Sequence, residues 1–186
     1  HSAAEALTCY ACARKIPLVV ATTGQTDAER AVIAEAGKSI PVFFSANMSP
    51  AIAMLADMAA QAARMFPDAD IEIIERHHNR KIDVPSGTAL LLANAMQNVR
   101  TDSTLVIGRH ENGRRTKREI GIHSLRMGNE VGTHEIIIST GTQTITLKHE
   151  AEDRALFAEG ALAAAEFLVS RPAGLYAMQD MINANS

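Results

Sequence analysis

The chain contains no tryptophan, and aromatic residues make up only 4% of its 186 positions. Proteins that hold single-stranded nucleic acid stack bases on aromatic side chains. Here no aromatic residue interleaves with the one basic run, Arg109, His110, Arg114, Arg115, Lys117 and Arg118. A nucleic-acid role would have to rest on charge alone, and the formal net charge is -3. Any attraction for an anion must therefore be local. No apolar run approaches the roughly 18 residues needed to span a bilayer, so no membrane role is expected. There is no H-E-x-x-H and no cysteine set near the histidines, which removes the usual zinc arrangements, and no metal is expected. The only cysteines are Cys9 and Cys12. Their C-x-x-C spacing could be a redox pair, but in an Ala-rich helical stretch residues i and i+3 simply share a face. Two unpaired thiols fit a reducing, cytoplasmic location. The sequence also has no G-x-G-x-x-G phosphate turn.

What is present is an ordinary globular composition, 47% hydrophobic and 21% charged. Residues 2–14 read as a helix. Ile16 to Thr22 is a continuous apolar run ending before Gly24, which suits a buried parallel strand. Thr26 and Glu29 have capping-box spacing, and that helix ends at Gly37, a natural residue for the position after a helix. Ile40 to Phe44 is the next strand. Alternating helices and strands imply crossovers and a parallel sheet. Ser49-Pro50 opens a third helix, and residues 70–77 form a strand. Ser86 caps a helix running to about Val99. Residues 108–118 are polar and read as a loop. Glu119–Arg126, Gly132–Thr140 and Thr144–His149 follow as strands. Their turns, Gly128-Asn129 and Gly141-Thr142, are short enough to predict antiparallel pairing throughout. A long Ala-rich helix from about Asp153 to Val169 and a short one near the end complete the chain. The fold class is α/β: a parallel part, an α+β part with an open mixed sheet, then a helical return.

The chemistry concentrates between Glu75 and Thr88. A helix N-terminus leaves backbone N–H groups without partners. Ser86 can cap one; Ala89 at the third position supplies no carboxylate for the rest. Gly87 has no side chain to block a ligand, so the helix start offers an anion site assisted by its dipole. Lys81 can reach the same anion. His77 and His78 end the preceding strand and point to opposite faces, so they should not do the same job. One can exchange a proton near neutral pH while the other lines the ligand.

The run His77-His78-x-x-Lys81-x-Asp83-x-Pro85-Ser86-Gly87-Thr88-Ala89 resembles the signature of 4-hydroxy-tetrahydrodipicolinate reductases, also called dihydrodipicolinate reductases. Val84 stands where that family commonly has alanine. Ala21-Thr22-Thr23-Gly24 resembles its Gly-Thr-Thr-Gly turn, and Ser45-Ala46-Asn47-Met48-Ser49 its hinge segment. His123–Arg126, Gly132–Glu135 and Arg154-x-x-Phe157-Ala158-x-Gly160-Ala161 are similar too. The resemblance covers essentially the whole chain.

It implies reduction of 4-hydroxy-tetrahydrodipicolinate by NADPH or NADH on the diaminopimelate route to lysine. Hydride would go to the ring carbon that loses its hydroxyl, with a proton added at its neighbour. It implies that His77 exchanges the proton and Lys81 is the second donor, while His78, Ser86, Gly87 and Thr88 hold the dicarboxylate. Ala21, Thr22, Thr23, Ser45, Ala46, Asn47, Met48 and Arg154 would meet the cofactor. It implies that residues 1–48 and 154–186 are part of a Rossmann-like dinucleotide-binding domain, and residues 49–153 a substrate-binding domain whose sheet assembles a homotetramer. Family members carry a strand and a G-x-G-x-x-G turn ahead of the point resembled by His1, so an N-terminal segment is expected to be missing and cofactor binding by this chain weak. The alternative reading is a non-catalytic dicarboxylate-binding fragment without the cofactor half. Another oxidoreductase of the same two-domain plan fits the paired histidines and Lys81 less well.

Overall fold

A computed structural model describes residues 3–184. In chain order its elements are α1 (Ala4–Arg14), β1 (Leu18–Val20), α2 (Asp27–Ala36), β2 (Pro41–Phe44), α3 (Pro50–Met65), β3 (Asp70–His77), α4 (Gly87–Gln97), β4 (Thr104–Ile107), β5 (Glu119–Arg126), β6 (Gly132–Ser139), β7 (Thr144–Ala151), α5 (Ala155–Val169), β8 (Gly174–Tyr176) and α6 (Met178–Asn183). The start expected at Ser2 lies outside the described residues. The chain divides into two compact units, one running to Ala53 and resuming at Ala155, the other covering Met54–Arg154. The first division falls inside α3 and the second just ahead of α5.

The first unit holds a three-stranded parallel sheet in the order β1-β2-β8. Val42 and Phe43 are fully buried, as the unbroken apolar run of a parallel strand requires. On one side of the core Ile33 and Ala36 of α2 pack with Val20 and Val42. On the other, Phe43 packs with Met48, Ala164 and Leu168. The Thr26–Glu29 capping box is complete: the Glu29 N–H donates to Thr26 Oγ1 at 3.2 Å, and the Thr26 N–H to Glu29 Oε2 at 2.7 Å. Gly37 differs from its expected role. Its φ is -58°, right-handed, so no positive φ demands glycine there. A Cβ would instead lie 3.1 Å from the Leu175 nitrogen, so the need is close approach to β8. That strand was not anticipated; three residues carry too little pattern.

Gly160 is a sharper case of close approach. A Cβ on it would fall 1.7 Å from the Met48 carbonyl oxygen. Gly160→Ala gains helix propensity of about 1 kcal/mol but forces α5 off the 45–49 segment. The net expectation is a loss of about 1–3 kcal/mol in urea unfolding; an unchanged midpoint would refute the contact.

The second unit holds a five-stranded mixed sheet, β4-β5-β3-β6-β7. β3 is central. It alternates, burying Ile71, Ile73, Glu75 and His77 on one side. Leu92, Ala93 and Met96 of α4 are fully buried with Ile120, Ile122, Ile136 and Ile138. The expected β5–β6 hairpin does not form. β5 pairs in parallel with β3 and with β4, and β6 pairs antiparallel with β3 and with β7. β3 therefore lies between β5 and β6, and only the β6–β7 hairpin follows the expected pattern. The reason lies in the turn: the Met127 N–H donates to His77 O, the His78 N–H to Glu130 O and the Asn79 N–H to Gly128 O. The 127–131 segment crosses the end of β3 instead of folding β6 back on β5. This strand exchange brings the turn against the residues that follow β3.

Candidate active site

Glu75 and His77 share the buried side of β3, two residues apart. A charge there is costly unless it is paired and hydrogen-bonded. Glu75 is fully buried and has both. Its Oε2 accepts from His77 Nδ1 at 2.5 Å and from Arg126 at 2.9 Å. Its Oε1 accepts from Arg126 at 2.8 Å and from the Ser86 N–H at 3.2 Å. Burial alone would raise the Glu75 carboxyl, but the His77 and Arg126 hydrogen bonds outweigh it and hold the group far below the usual carboxylate range. Arg126 also donates to Asp83 O at 2.8 Å, tying the loop to β5.

The His77 ring rests against Gly132, where a Cβ would come within 2.9 Å of Nε2. Beside it His134 of β6 stands edge-on, with ring centroids 5.2 Å apart. Burial pushes the His134 imidazole down to about 3, so it is neutral across the physiological range. Its Nε2 lies 3.0 Å from Ser86 Oγ, which in turn caps α4 by accepting from the Ala89 N–H at 3.1 Å. Ser86 is 2% exposed. Its hydroxyl and N–H both shape the helix start. The accessible part of that start is Gly87, with nothing within 4 Å of its Cβ position, and the half-buried Thr88.

Around this start the loop is cationic. The His78 imidazole is lowered by burial first, then by the charges of Arg80, His77, Lys81 and Arg154. Lys81 is held by the exposed Asp83, Nζ to Oδ1 2.8 Å. Arg80 donates to Asn129 Oδ1 at 2.8 Å, so the 127–131 turn braces the loop. Arg154 is the last residue of this unit, and its charge is among those that lower the His78 imidazole. The Val84–Pro85 peptide is cis. A local concentration of positive charge in a chain of net charge -3 suits a compact, multiply charged anion.

The remaining sequence-predicted residues lie in the first unit. Ala21, Thr22 and Thr23 are exposed just beyond β1, and Gly24 takes φ 88°, which favours glycine. The buried Gln25, which sequence reading missed, shapes this turn: its Nε2 donates to Thr22 O at 2.9 Å and to Thr22 Oγ1 at 2.8 Å. Ser45, Ala46, Asn47 and Met48 follow β2. Ser45 Oγ donates to Asn47 O at 2.6 Å, Asn47 Oδ1 accepts from the Ser49 N–H at 2.8 Å, and Met48 is buried. Both segments leave the carboxyl ends of adjacent parallel strands, where open α/β sheets bind nucleotides.

Three arginines of the basic run are held by acidic residues. Arg109 pairs with Glu119; Arg115 pairs with Asp70 at 2.9 Å and Glu72 at 2.6 Å; Arg118 pairs with Asp102 at 2.9 Å. Among the described residues no group of three metal-ligating side chains occurs, and no helix is long and apolar enough to cross a membrane. Cys9 is exposed and Cys12 half-buried, both unpaired.

An α/β fold with parallel strands in one unit, and a histidine–carboxylate pair beside a cationic helix start in the other, has the parts of a dinucleotide-dependent enzyme acting on an anion. Comparison makes this specific. Residues 1–48 match the family model for dihydrodipicolinate reductase, N-terminus, and residues 51–182 that for dihydrodipicolinate reductase, C-terminus. The chain is 44% identical over 184 residues to the 4-hydroxy-tetrahydrodipicolinate reductase of Caldanaerobacter subterraneus subsp. tengcongensis, covering 98% of this chain and 73% of that protein. It is 43% identical over 185 residues to the reductase of that name from Clostridium tetani, covering 98% and 72%. The dipicolinate-bound dihydrodipicolinate reductase from Paenisporosarcina sp. TG-14 superposes with a TM-score of 0.77 at 25% identity, over 95% of this chain and 68% of that one. The chain belongs to the dihydrodipicolinate reductase family.

Proposed function

We propose that the chain reduces 4-hydroxy-tetrahydrodipicolinate to tetrahydrodipicolinate with NADPH or NADH, as a step of lysine biosynthesis. The observation that carries this is the ionised Glu75 bonded to His77 next to the open first turn of α4. In this reading Gly87 and the Thr88 N–H and hydroxyl hold one carboxylate, and His78 and Arg154 the other. Lys81 exchanges Asp83 for substrate and serves as the second proton donor. His77 handles the proton at the carbon next to the reduced one. When bound, the nicotinamide supplies the hydride. The exposed turn at Ala21–Gly24 and the segment Ser45–Met48 fit its nicotinamide end: Thr22 and Thr23 offer hydroxyls and Ala21 its backbone, which a methyl side chain leaves accessible. The first unit is accordingly the nucleotide-binding one and the second the substrate-binding one.

We further propose a homotetramer built through the second unit's sheet. The side of that sheet opposite α4 carries half-buried Ile74 and Ile137 and the 40%-exposed Leu125, apolar groups that a partner sheet would cover. Light scattering reads the assembly state directly.

Calorimetric titration with pyridine-2,6-dicarboxylate tests the site. Thr88→Val and Arg154→Met are each expected to weaken binding about tenfold, the worth of one charge-assisted hydrogen bond. Equal affinity in both variants would sink the placement of the carboxylates. Binding without turnover in the presence of substrate and either dinucleotide would select the non-catalytic alternative.

A further inference from the structure

We propose that Glu75 is a positioning residue: its carboxylate fixes the Nδ1–H tautomer of His77, and through the Ser86 N–H it anchors the imidazole and the anion-binding helix start to one point. This rests on the reading of His77 as the proton-exchanging group. An ionised carboxylate only accepts hydrogen bonds, so the nitrogen 2.5 Å from Oε2 must carry the proton. The other tautomer would place a lone pair against the carboxylate. With Nδ1–H committed, Nε2 is left as the one ring atom that can accept or release a proton. It makes no hydrogen bond among the described residues, and the His77 side chain is 11% exposed.

Glu75 does not exchange the proton itself. Arg126 and the Ser86 N–H hold its oxygens along with His77. The groups that face His77 are Glu75 on its own strand, Arg126 from β5, His134 from β6 with His149 of β7 in register behind it, and His78, Lys81 and Asp83 from the loop. Of these only Glu75 contacts Nδ1, and His134 is neutral, so neither His134 nor the loop cations can replace it. The shared anchor has a mechanical consequence. One carboxylate thereby ties the first turn of α4 and the His77 ring together.

Long-range proton–nitrogen correlation spectra of the ¹⁵N-labelled chain read the tautomer. The unsubstituted protein is expected to show neutral His77 protonated at Nδ1 and unprotonated at Nε2. In Glu75→Gln the Nε2–H form should appear, because the carboxylate that only accepts is gone. Turnover in that variant should fall roughly 100-fold with KM for substrate nearly unchanged, as when a triad histidine loses its orienting carboxylate, and Glu75→Asp should recover part of it. An Nε2–H tautomer in the unsubstituted protein overturns the proposal, and so does an Nδ1–H tautomer that Glu75→Gln leaves in place. If Glu75→Gln does not fold, the unsubstituted spectrum alone decides. Failure of the function reading looks different: the Nδ1–H tautomer persists while His77→Asn turns over normally, which retires the catalytic role and upholds the tautomer lock.

Discussion

His77→Asn is expected to lower turnover by about 10²–10⁴-fold, the usual worth of a positioned general acid or base. Asparagine suits the test because its amide N–H can still donate to Glu75, so the buried carboxylate keeps a neutral partner and the fold keeps its anchor. What disappears is the titratable nitrogen. Lys81→Met preserves the aliphatic stem beside the loop and removes only the ammonium that Asp83 now holds at 2.8 Å. Its turnover should fall by a similar order, and pyridine-2,6-dicarboxylate should bind more weakly as well, because the ammonium also neutralises the anion. The affinity for NADPH or NADH should stay within about threefold in both variants, under half a factor of ten and so well below 1.4 kcal/mol. The residues proposed to meet the cofactor, Ala21–Thr23 and Ser45–Met48, are in the other unit. Initial-rate kinetics with each substrate varied separately make the distinction. Wild-type turnover in both variants would remove His77 and Lys81 from the chemistry and leave the Glu75–His77 pair a structural device.

Much of this site was readable from spacing alone. Ser86 could be identified as a helix cap from its place ahead of an apolar run, and the paired histidines from their place at a strand end, because both rules are local. The capping box at Thr26 and Glu29 was equally legible. What escaped was non-local. Glu75 sits between Ile73 and His77 on the inward side of β3, and an inward charge in an alternating strand demands a partner. That signal was present, but nothing local says that the partner is Arg126, 51 residues away. The pairing depends on β5 lying parallel beside β3, and the short turn at Gly128-Asn129 pointed to a hairpin instead. Hairpin rules assume that a turn's two strands are neighbours. Here backbone groups of the turn bond to His77, His78 and Asn79 and leave room for β3 between them. The pairing within the basic run is non-local in the same way: Arg109, Arg115 and Arg118 answer acidic residues of β3 and β5 and the aspartate at Asp102, contacts that charge counting along the chain does not reveal. Arg154 is legible as a matching residue, while the charge it places on His78 is a non-local effect.

Arg126→Met should cost about 3–5 kcal/mol of stability, the usual price of stranding one member of a buried ion pair. The guanidinium reaches both oxygens of Glu75, at 2.9 and 2.8 Å, with its own side chain 17% exposed and that of Glu75 fully enclosed. Methionine fills similar volume, so the loss is electrostatic and not a cavity. Two further results separate this from a packing fault. The double variant Arg126→Met, Glu75→Gln should recover much of the loss, because no charge is then left unpaired. Acid should also narrow the gap between the parent and the single variant. In the parent the Glu75 carboxyl is depressed on folding, so its stabilising contribution is complete above the ordinary carboxylate range near 4.3 and is lost as pH falls toward the folded value. In the variant burial dominates and raises the group, so acid neutralises the stranded charge and relieves the penalty. The loop should loosen at the same time, since Arg126 also holds Asp83 O, and pyridine-2,6-dicarboxylate binding should weaken even where the variant is fully folded. Urea unfolding at pH 7 and pH 4.5 measures both effects. A loss below about 1 kcal/mol, on the scale of an exposed ion pair, or a double variant no more stable than the single one, would show that Glu75 is not held by Arg126 in the way the geometry requires.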